Sequence, residues 1–391
     1  MLLLVKFQIF TAAFLFLIMA KGLYGQSVST ETKVLYPYNP NRPGAEAYFH
    51  GGAFVAQDGS PTAMLFNPAG LARLPERLTA VAESGWNSST EFLGFFDSDF
   101  ISRFRPLQFA ALALQPSSKI ALGAFYAQSL DYALDFGPIQ VTTADHPEGT
   151  GEAYNLTKER RLEGLGLVLA YSFGQNLLTG AGVEWRRASI HEAFINTLAT
   201  GHSSAPRFSA GAIFLWKGWQ LGGAGQTGYR ARNDLIVQTP ERALTNTTPP
   251  DHGANRRLVL AADEKFPIVA EEPAAFRLGF SSPDFFNRIQ FSADAEYKDF
   301  EMNAPIQRWQ FYGGGAVQLS TWLEMGLGCF TFRKDYSAFV DGPSSEVFMT
   351  TGGTLKIAAL RLTASYLDGG LFDDNATGQR FVNVALGYAL P

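Results

Sequence analysis

The chain has 391 residues, 31 of them basic and 36 acidic, and its mean hydropathy is −0.01 although 46% of its residues are hydrophobic. This mildly acidic balance, without a long basic run, argues against nucleic acid as a partner. After residue 20 no run of about 20 apolar residues occurs, which excludes a helical membrane protein. The single cysteine, Cys329, cannot form an intrachain disulfide and has no nearby histidine with which to bind a metal.

The N-terminus predicts an export signal. Lys6 precedes the apolar stretch 7–20, which has the length of a signal-peptide core and is short for a membrane span. Gly22 and Gly25 supply small residues for cleavage, and we expect residues 1–25 to be removed as a signal peptide. An uncleaved N-terminal anchor is the alternative interpretation.

Residues 26–77 do not alternate in the manner of a strand and contain many small residues. The pair Gly51-Gly52 permits close approach of backbone. Asn67 before Pro68 favours an extended or turn conformation, and Gly70 closes that turn. We expect this compact segment to lie inside the wide barrel that residues 78–391 are predicted to form.

From Leu78 onward, strand-like segments are joined alternately by short turns and long connections, and about fourteen segments can be counted. An even number of strands with tight turns at one end is typical of bacterial outer-membrane barrels. We therefore predict an all-β fold, a transmembrane antiparallel β-barrel of about 14 strands with its tight turns in the periplasm. The predicted strands are Leu78–Trp86, Leu107–Leu114, Ile120–Gln128, Arg161–Phe173, Leu177–Arg187, Arg207–Leu215, Trp219–Tyr229, Ala275–Phe280, Arg288–Lys298, Trp309–Leu319, Trp322–Phe332, Val347–Lys356, Ile357–Leu367 and Gln379–Leu390.

The segment Arg288–Lys298 best displays the two faces of these strands. Its odd-numbered residues, such as Phe291, are apolar, whereas its even-numbered residues are polar or charged. A slip of one residue would place each basic group in lipid at a cost of roughly 2–4 kcal/mol, so the register is well specified. We assign the apolar face to outer-membrane lipid and the polar face to the lumen. The predicted lumenal charges are Glu184, Arg186, Arg288, Asp294, Glu296 and Arg361.

Other β folds fit the sequence less well. A propeller would repeat every 40–50 residues or so, and no such self-similarity is present. A secreted sandwich could supply single strands but not the regular alternation of short and long connections. The aromatic residues near strand ends favour a membrane barrel, in which such rings lie at the headgroup level. They are Trp86, Tyr132, Trp216, Trp219, Tyr229, Trp309, Trp322, Phe330, Phe332, Tyr366 and Tyr388.

Two motifs of the N-terminal segment carry a family resemblance. Residues 51–56 read Gly-Gly-Ala-Phe-Val-Ala, and residues 67–71 read Asn-Pro-Ala-Gly-Leu. Together they resemble the signature of the long-chain fatty-acid (FadL-type) outer-membrane transporters, which related barrels of the type IX secretion system share. The resemblance implies that residues 26–77 form a hatch in the lumen of a fourteen-strand barrel. Its motif residues here are Gly51, Gly52, Asp58, Asn67, Pro68, Ala69, Gly70 and Leu71.

The sequence departs from the family pattern in two places. The linker between the motifs often carries two adjacent acidic residues in the family, whereas only Asp58 stands here. Outer-membrane barrels often end on an aromatic residue, but this chain ends with residues 388–391, Tyr-Ala-Leu-Pro. Because the alternation persists to the end, we still expect recognition by the barrel assembly machinery.

The resemblance implies passive uptake of a hydrophobic compound, a long-chain fatty acid or an aromatic hydrocarbon, through a hatch-gated lumen. Arginines of the lumen could position a carboxylate, or the lumenal charges could simply pair with each other and with the hatch. Candidate capture loops are Ile190–Pro206 and Arg230–Pro273, since long connections are often functional. A lid without a ligand role is the alternative for the second loop. Its apolar residues are Leu235, Ile236, Val237, Leu258, Val259 and Leu260.

Two rival functions remain. A protein-docking outer-membrane barrel of a type IX-like secretion system would receive a secreted partner protein on its rim, and the hatch motif does not separate that function from transport. An enzyme is disfavoured, because no Gly-x-Ser-x-Gly elbow is present and the histidines lack metal-ligand spacing. We therefore expect neither catalysis nor a cofactor nor a metal. The scattered histidines are His50, His146, His191, His202 and His252.

Overall fold

The computed structural model describes residues 32–35, 41–88, 90–93, 96–99, 103–140, 153–194, 197–238, 264–286, 288–299, 309–333, 345–371 and 380–390. Residues 33–391 form one compact unit. Two one-turn helices, α1 and α2, and a 3-10 helix precede the second strand. The helices are α1 Ala45–Tyr48, α2 Ala63–Phe66 and the 3-10 helix Pro68–Arg73. The strands are β1 Thr32–Leu35, β2 Leu78–Ser88, β3 Thr90–Leu93, β4 Phe96–Asp99, β5 Arg103–Ser117, β6 Ile120–Gln140, β7 Ala153–Phe173, β8 Leu177–Phe194, β9 Thr197–Trp216, β10 Trp219–Gln226, β11 Tyr229–Gln238, β12 Glu264–Glu272, β13 Ala274–Ser281, β14 Ile289–Asp299, β15 Trp309–Ser320, β16 Leu323–Arg333, β17 Ser345–Ile357, β18 Leu360–Asp368 and β19 Arg380–Leu390.

The sheet closes into an antiparallel barrel whose wall has fourteen strand positions, two of which are each formed by a pair of consecutive strands. The strands β10 and β11 form one position that is interrupted at residues 227–228, and β12 and β13 form another that is interrupted at Pro273. Closure occurs between the last strand and β2, where Leu390 lies opposite Leu78 and Arg380 lies opposite Ser88. The predicted closed antiparallel barrel of fourteen strands is therefore confirmed.

The two faces of the strands differ as the sequence predicts. In β14 the Phe291 side chain is 51% exposed, whereas its neighbour Ser292 is 4% exposed. In β7 the outward residues Leu165, Leu167 and Leu169 are exposed apolar side chains. A belt of exposed apolar residues around a closed sheet is the surface that a bilayer covers. No helix among the described residues is long and apolar enough to cross a membrane.

One predicted connection is wrong. The loop expected at Ile190–Pro206 is mostly strand, because β8 continues to Phe194 and β9 begins at Thr197. In the same way β6 and β7 extend beyond the ends that the apolar alternation indicated. These extensions pair through polar residues, as where Glu159 lies opposite His191. In the extension of β7, residues 157–161 read Thr-Lys-Glu-Arg-Arg, so the period-two signal is absent there although the strand pairing continues.

Some predicted girdle aromatics point inward instead. Trp216 and Trp322 are exposed on the outer face, as expected for rings at the headgroup level. Tyr229, Phe330 and Phe332 are buried, and the two phenylalanines belong to an aromatic cluster inside the barrel. Successive side chains of a strand point to opposite faces, and these residues occupy the positions that face the lumen. Their position in the strand, and not their aromatic side chain, therefore decides where they lie.

Candidate functional site inside the barrel

Residues 41–77, here called the lumenal segment, pack against the inward faces of the strands. Leu71, Ala72 and Met64 belong to one buried apolar cluster that includes Phe109 of β5 and Leu178 of β8. The segment buries small and apolar side chains, as expected for a chain enclosed by a sheet. The predicted hatch motif thus lies where the inward-facing wall residues converge.

Glycines of the wall let the backbone of the lumenal segment touch the backbone of the barrel. A Cβ atom at Gly326 of β16 would overlap the carbonyl oxygen of Phe49, and one at Gly180 of β8 would overlap the backbone of Pro68. Such contacts leave no room for a larger residue or for an intervening solvent layer. The segment is therefore held against opposite parts of the wall.

Within the motif, Asn67 organises the local turn. Its Oδ1 atom accepts a hydrogen bond of 3.1 Å from the amide of Ala69, which caps the 3-10 helix. Its Nδ2 group donates to the carbonyl oxygens of Val55 at 2.7 Å and of Ala212 at 3.2 Å, the latter in β9. Asn67 therefore joins two parts of the segment to the wall, a role for which an amide with both donor and acceptor atoms is suited.

The other motif residues serve local geometry. Gly51 and Gly52 have φ angles of 70° and 80°, which a residue with a side chain rarely adopts. The Oδ1 atom of Asp58 accepts a hydrogen bond of 3.1 Å from Gln220 of β10. Pro68, Ala69, Gly70 and Leu71 are all buried.

Two of the predicted lumenal charges bind the segment directly. The Oδ2 atom of Asp294 accepts hydrogen bonds from the amides of Phe54 at 2.7 Å and Val55 at 2.9 Å. Glu296, with 0% exposure, forms an ion pair of 2.9 Å with Arg42 of the segment. Charge-assisted hydrogen bonds of this kind are the strong ones inside a protein.

Glu296 is also shared with the wall. Arg277 lies 2.9 Å from its carboxylate, Lys298 lies 3.6 Å away, and the hydroxyl of Tyr312 donates to it at 2.8 Å. One buried carboxylate thus holds cations from β13, β14 and the segment. Such a convergent group stabilises the fold only while all its members remain.

Two further predicted charges form a separate cluster that does not include the segment. Glu184 of β8 accepts from Arg186 at 3.0 Å and from the Nε of Arg207 at 3.0 Å. Arg186 also pairs with Glu272, the last residue of β12. The cluster therefore joins β8, β9 and β12 near the interruptions of the wall at residues 227–228 and 273.

The remaining predicted charges lie elsewhere. Arg288 is exposed at the short connection before β14, and Arg361 of β18 is only partly buried. The strand parity of Arg288 is lumenal, but the residue lies beyond the end of the strand, where parity no longer places a side chain inside.

The predicted capture residues are described only in part. Leu235, Ile236 and Val237 lie in β11, where Ile236 is 37% exposed, instead of lying in a loop. Leu258, Val259 and Leu260 lie outside the described residues. Among the described residues, no group of three or more His, Cys, Asp or Glu could hold a metal ion.

Sequence reasoning missed a bulge in β5. Glu83 of β2 lies opposite Phe109, but Gly85 lies opposite Arg105, so the single residue between them in β2 faces three residues of β5. Pro106 lies within this bulge and cannot donate to a ladder. Pro106, directly before the predicted strand Leu107–Leu114, was the signal that could have revealed it.

The bulge coincides with a break in the barrel wall. The pairing of β5 with β6 begins where Phe109 lies opposite Ala127 and continues to the turn. Within the described part of the chain, residues 103–105 of β5 pair with β2 and residues 106–108 lie in the bulge. None of these six residues pairs with β6, whose residues 128–140 pair with β7. We call this place the broken junction. On its outer side Phe104 and Leu107 are exposed apolar residues.

The lumenal segment contains two titratable groups with little solvent contact, His50, which is buried, and Glu46, which is partly buried. Burial lowers the pKa of His50 to about 4, and its Nδ1 atom has no hydrogen-bond partner among the described residues. Burial raises the pKa of Glu46, whose carboxylate accepts from Ser60. Both shifts follow from the cost of holding a charge away from water.

No protein-family model matches the chain, and no curated protein matches it. Its architecture is nevertheless similar to that of solved structures of a FadL homologue and of toluene transporters. A Pseudomonas aeruginosa FadL homologue has a TM-score of 0.65 at 14% identity over 91% of this chain and 100% of its own. The Ralstonia pickettii toluene transporter TbuX has a TM-score of 0.65 at 12% identity over 89% and 98%. The P. putida toluene transporter TodX has a TM-score of 0.62 at 13% identity over 89% and 98%. The chain therefore shares the fold of these proteins.

Proposed function

We propose that the protein is an outer-membrane channel for the passive uptake of hydrophobic small molecules, either long-chain fatty acids or aromatic hydrocarbons. The observation that carries the proposal is the combination of an obstructed lumen with the broken junction in the wall. The exposed apolar belt supports a membrane location, and the shared fold with named transporters supports the function. The protein-docking alternative gains no support from those transporters.

The obstruction is formed by the lumenal segment, which acts as the hatch. Its backbone touches wall glycines such as Gly326 and Gly180 on different sides of the barrel. A straight aqueous path like that of a general porin is not compatible with such packing. A hydrophobic compound that enters the lumen therefore requires either displacement of the segment or a route through the wall.

The broken junction supplies the route through the wall. Unpaired strand edges would be costly in a bilayer core unless other groups satisfy them. The guanidinium of Arg105 reaches across the junction and donates to the carbonyl oxygen of Asp131 at 3.3 Å. A side-chain hydrogen bond thus takes the place of backbone pairing between the two strands. A side chain changes its rotamer more easily than paired strands separate. The apolar residues Phe104 and Leu107 border this opening on the lipid side.

In this proposal the short turns face the periplasm and the long connections face outward, as in other barrels of this class. The chain is exported with cleavage of residues 1–25 and is folded by the barrel assembly machinery. Residues of the connection between β11 and β12 capture the compound at the surface. Leu235, Ile236 and Val237 near the end of β11, together with Leu258, Val259 and Leu260 of the connection, supply the apolar contacts.

The test is the uptake of radiolabelled toluene and oleate by Gram-negative cells that lack their own hydrophobic-compound transporters. We expect cells with the protein in the outer-membrane fraction to accumulate at least one compound faster than cells with an empty vector. A general porin at equal expression is the control for leakiness. Equal accumulation of both compounds with and without the protein would contradict the proposal.

A further inference from the structure

The bulge in β5 turns one residue from the lipid face to the lumen. Along β5 the lumenal positions are odd-numbered, as in Phe109, Ala111 and Ala113, which are buried, while the even-numbered Leu112 and Leu114 are exposed. Gln108 is even-numbered, yet it is 0% exposed. The bulge adds two residues to β5, and the alternation is broken within it, so Gln108 turns inward while Leu107 is exposed.

The amide of Gln108 holds two partners at once. Its Nε2 group donates to the carboxylate of Glu83 and, at 2.8 Å, to the Oδ1 atom of Asn383. Two acceptors fix the orientation of the amide, because only the nitrogen end can donate. The Oε1 end rests on Gly85, where a Cβ atom would overlap it.

Both partners of Gln108 bind the start of the lumenal segment. Glu83 accepts from the amide of Gly44 at 3.0 Å and from that of Ala45 at 2.7 Å. Asn383 donates to Asn41 at 2.7 Å, and the Nδ2 group of Asn41 donates in return to Asn383 at 3.0 Å. All of these side chains are buried, so each hydrogen bond that is lost leaves a group without water to replace it.

From this geometry we propose that Gln108 is a positioning residue that couples the broken junction to the lumenal segment. Gln108 directly precedes Phe109, where the pairing of β5 with β6 begins. It donates hydrogen bonds to Glu83 and Asn383, the two residues that bind residues 41–45 of the segment. A displacement of β5 at the bulge draws Glu83 and Asn383 away from the segment, and release of the segment frees β5. In consequence, and here the inference rests on the proposed function, the wall opens only when the start of the segment moves.

Hydrogen exchange on the full-length protein in nanodiscs tests the coupling without any transport substrate. In Gln108→Leu we expect exchange to rise about tenfold both in the peptide 41–48 and in the peptide 103–109. Gly85→Ala disturbs the same Gln108 amide from the neighbouring strand, because the new methyl group displaces Oε1. Hydrogen exchange should therefore rise in both peptides in this variant as well. Gly223→Ala is the matched control, since its Cβ would meet only Leu278 at an ordinary 3.6 Å.

The peptide 63–72, which packs against β5 to β9, separates coupling from general loosening and should keep its protection in both variants. Exchange that rises at 103–109 while 41–48 stays protected would overturn the proposal, and so would a uniform rise that includes 63–72. Initial toluene uptake should increase in Gln108→Leu. If the wild-type protein takes up neither toluene nor oleate, the proposed function fails while the exchange result still decides the coupling.

Discussion

Two parts of the wall hold the lumenal segment in different ways. From β13 to β16, here called the anchored wall, the ladder is continuous, and the segment is bound by Asp294, Glu296 and the backbone at Gly326. At the broken junction the ladder is interrupted, and the guanidinium of Arg105 reaches the carbonyl oxygen of Asp131 across it. The difference is that continuous backbone pairing supports one wall, whereas a side-chain hydrogen bond spans the gap in the other. Under the proposed function, the anchored wall holds the lumenal segment in place and the broken junction provides the route for the compound.

The largest expected effect comes from removing the shared carboxylate of the anchored wall. Glu296→Gln should destabilise the seating of the segment by roughly 3–5 kcal/mol, because Arg42, Arg277 and Lys298 lose their common buried counter-charge. The loss of stability is measured by hydrogen exchange of the peptide 41–48. Glu324→Gln, which affects a partly exposed pair with Lys356, is the control and should cost at most about 1 kcal/mol. Equal effects from both variants would refute a special role for Glu296.

The next effect is a dependence on pH. The pKa of His50 is lowered to about 4 by burial, so its stabilising contribution is complete above pH 6.5 or so and is lost as the pH falls towards 4. The loss amounts to roughly 3 kcal/mol, since the unfolded segment takes up a proton that buried His50 does not. Glu46 acts in the opposite direction, because burial raises its pKa and favours its protonated form in the folded state.

Comparison with His50→Gln isolates the histidine from that opposing carboxyl group. Protection of residues 41–77 should weaken between pH 7 and pH 4.5 in the wild-type protein by more than it does in the variant. The same pH dependence in both proteins would show that His50 is not the responsible group.

A smaller effect is expected where the segment touches the wall. Gly326→Ala inserts a methyl group against the carbonyl of Phe49, and such overpacking typically costs about 1–3 kcal/mol. Exchange of peptide 41–56 should rise while residues 103–109 of the broken junction stay protected. A Gly223→Ala variant should leave both peptides unchanged, and an increase at 103–109 in Gly326→Ala would erase the distinction between the two walls.

The smallest effect belongs to the motif turn. Asn67→Ala removes the cap of the 3-10 helix and two donated hydrogen bonds, which should cost about 1–2 kcal/mol. Thermal unfolding followed by loss of heat-modifiable migration on gels measures the stability of the barrel itself, and it should change little. Exchange of peptide 63–72 should increase several-fold. A fall in the unfolding temperature of the barrel without any change in that peptide would contradict this assignment.

The sequence by itself determined the barrel, because lipid imposes a period of two that is visible wherever a strand crosses the apolar belt. The alternation around Phe291 and the tight turns were enough to predict fourteen strands and to place Glu184, Arg186, Asp294 and Glu296 on the inward face. The extension of β8 to Phe194 was not visible, because the polar residues His191 and Glu192 interrupt the apolar pattern there.

Only the tertiary structure decided which groups meet. Glu83, Gln108 and Asn383 are far apart in sequence, and they come together because the barrel closes between β19 and β2. The inward turn of Gln108 depends on a bulge whose position is set by pairing with a distant strand, not by local preference. Local periodicity records which medium a side chain faces, whereas contacts across a closed sheet depend on register and closure, which no single strand contains.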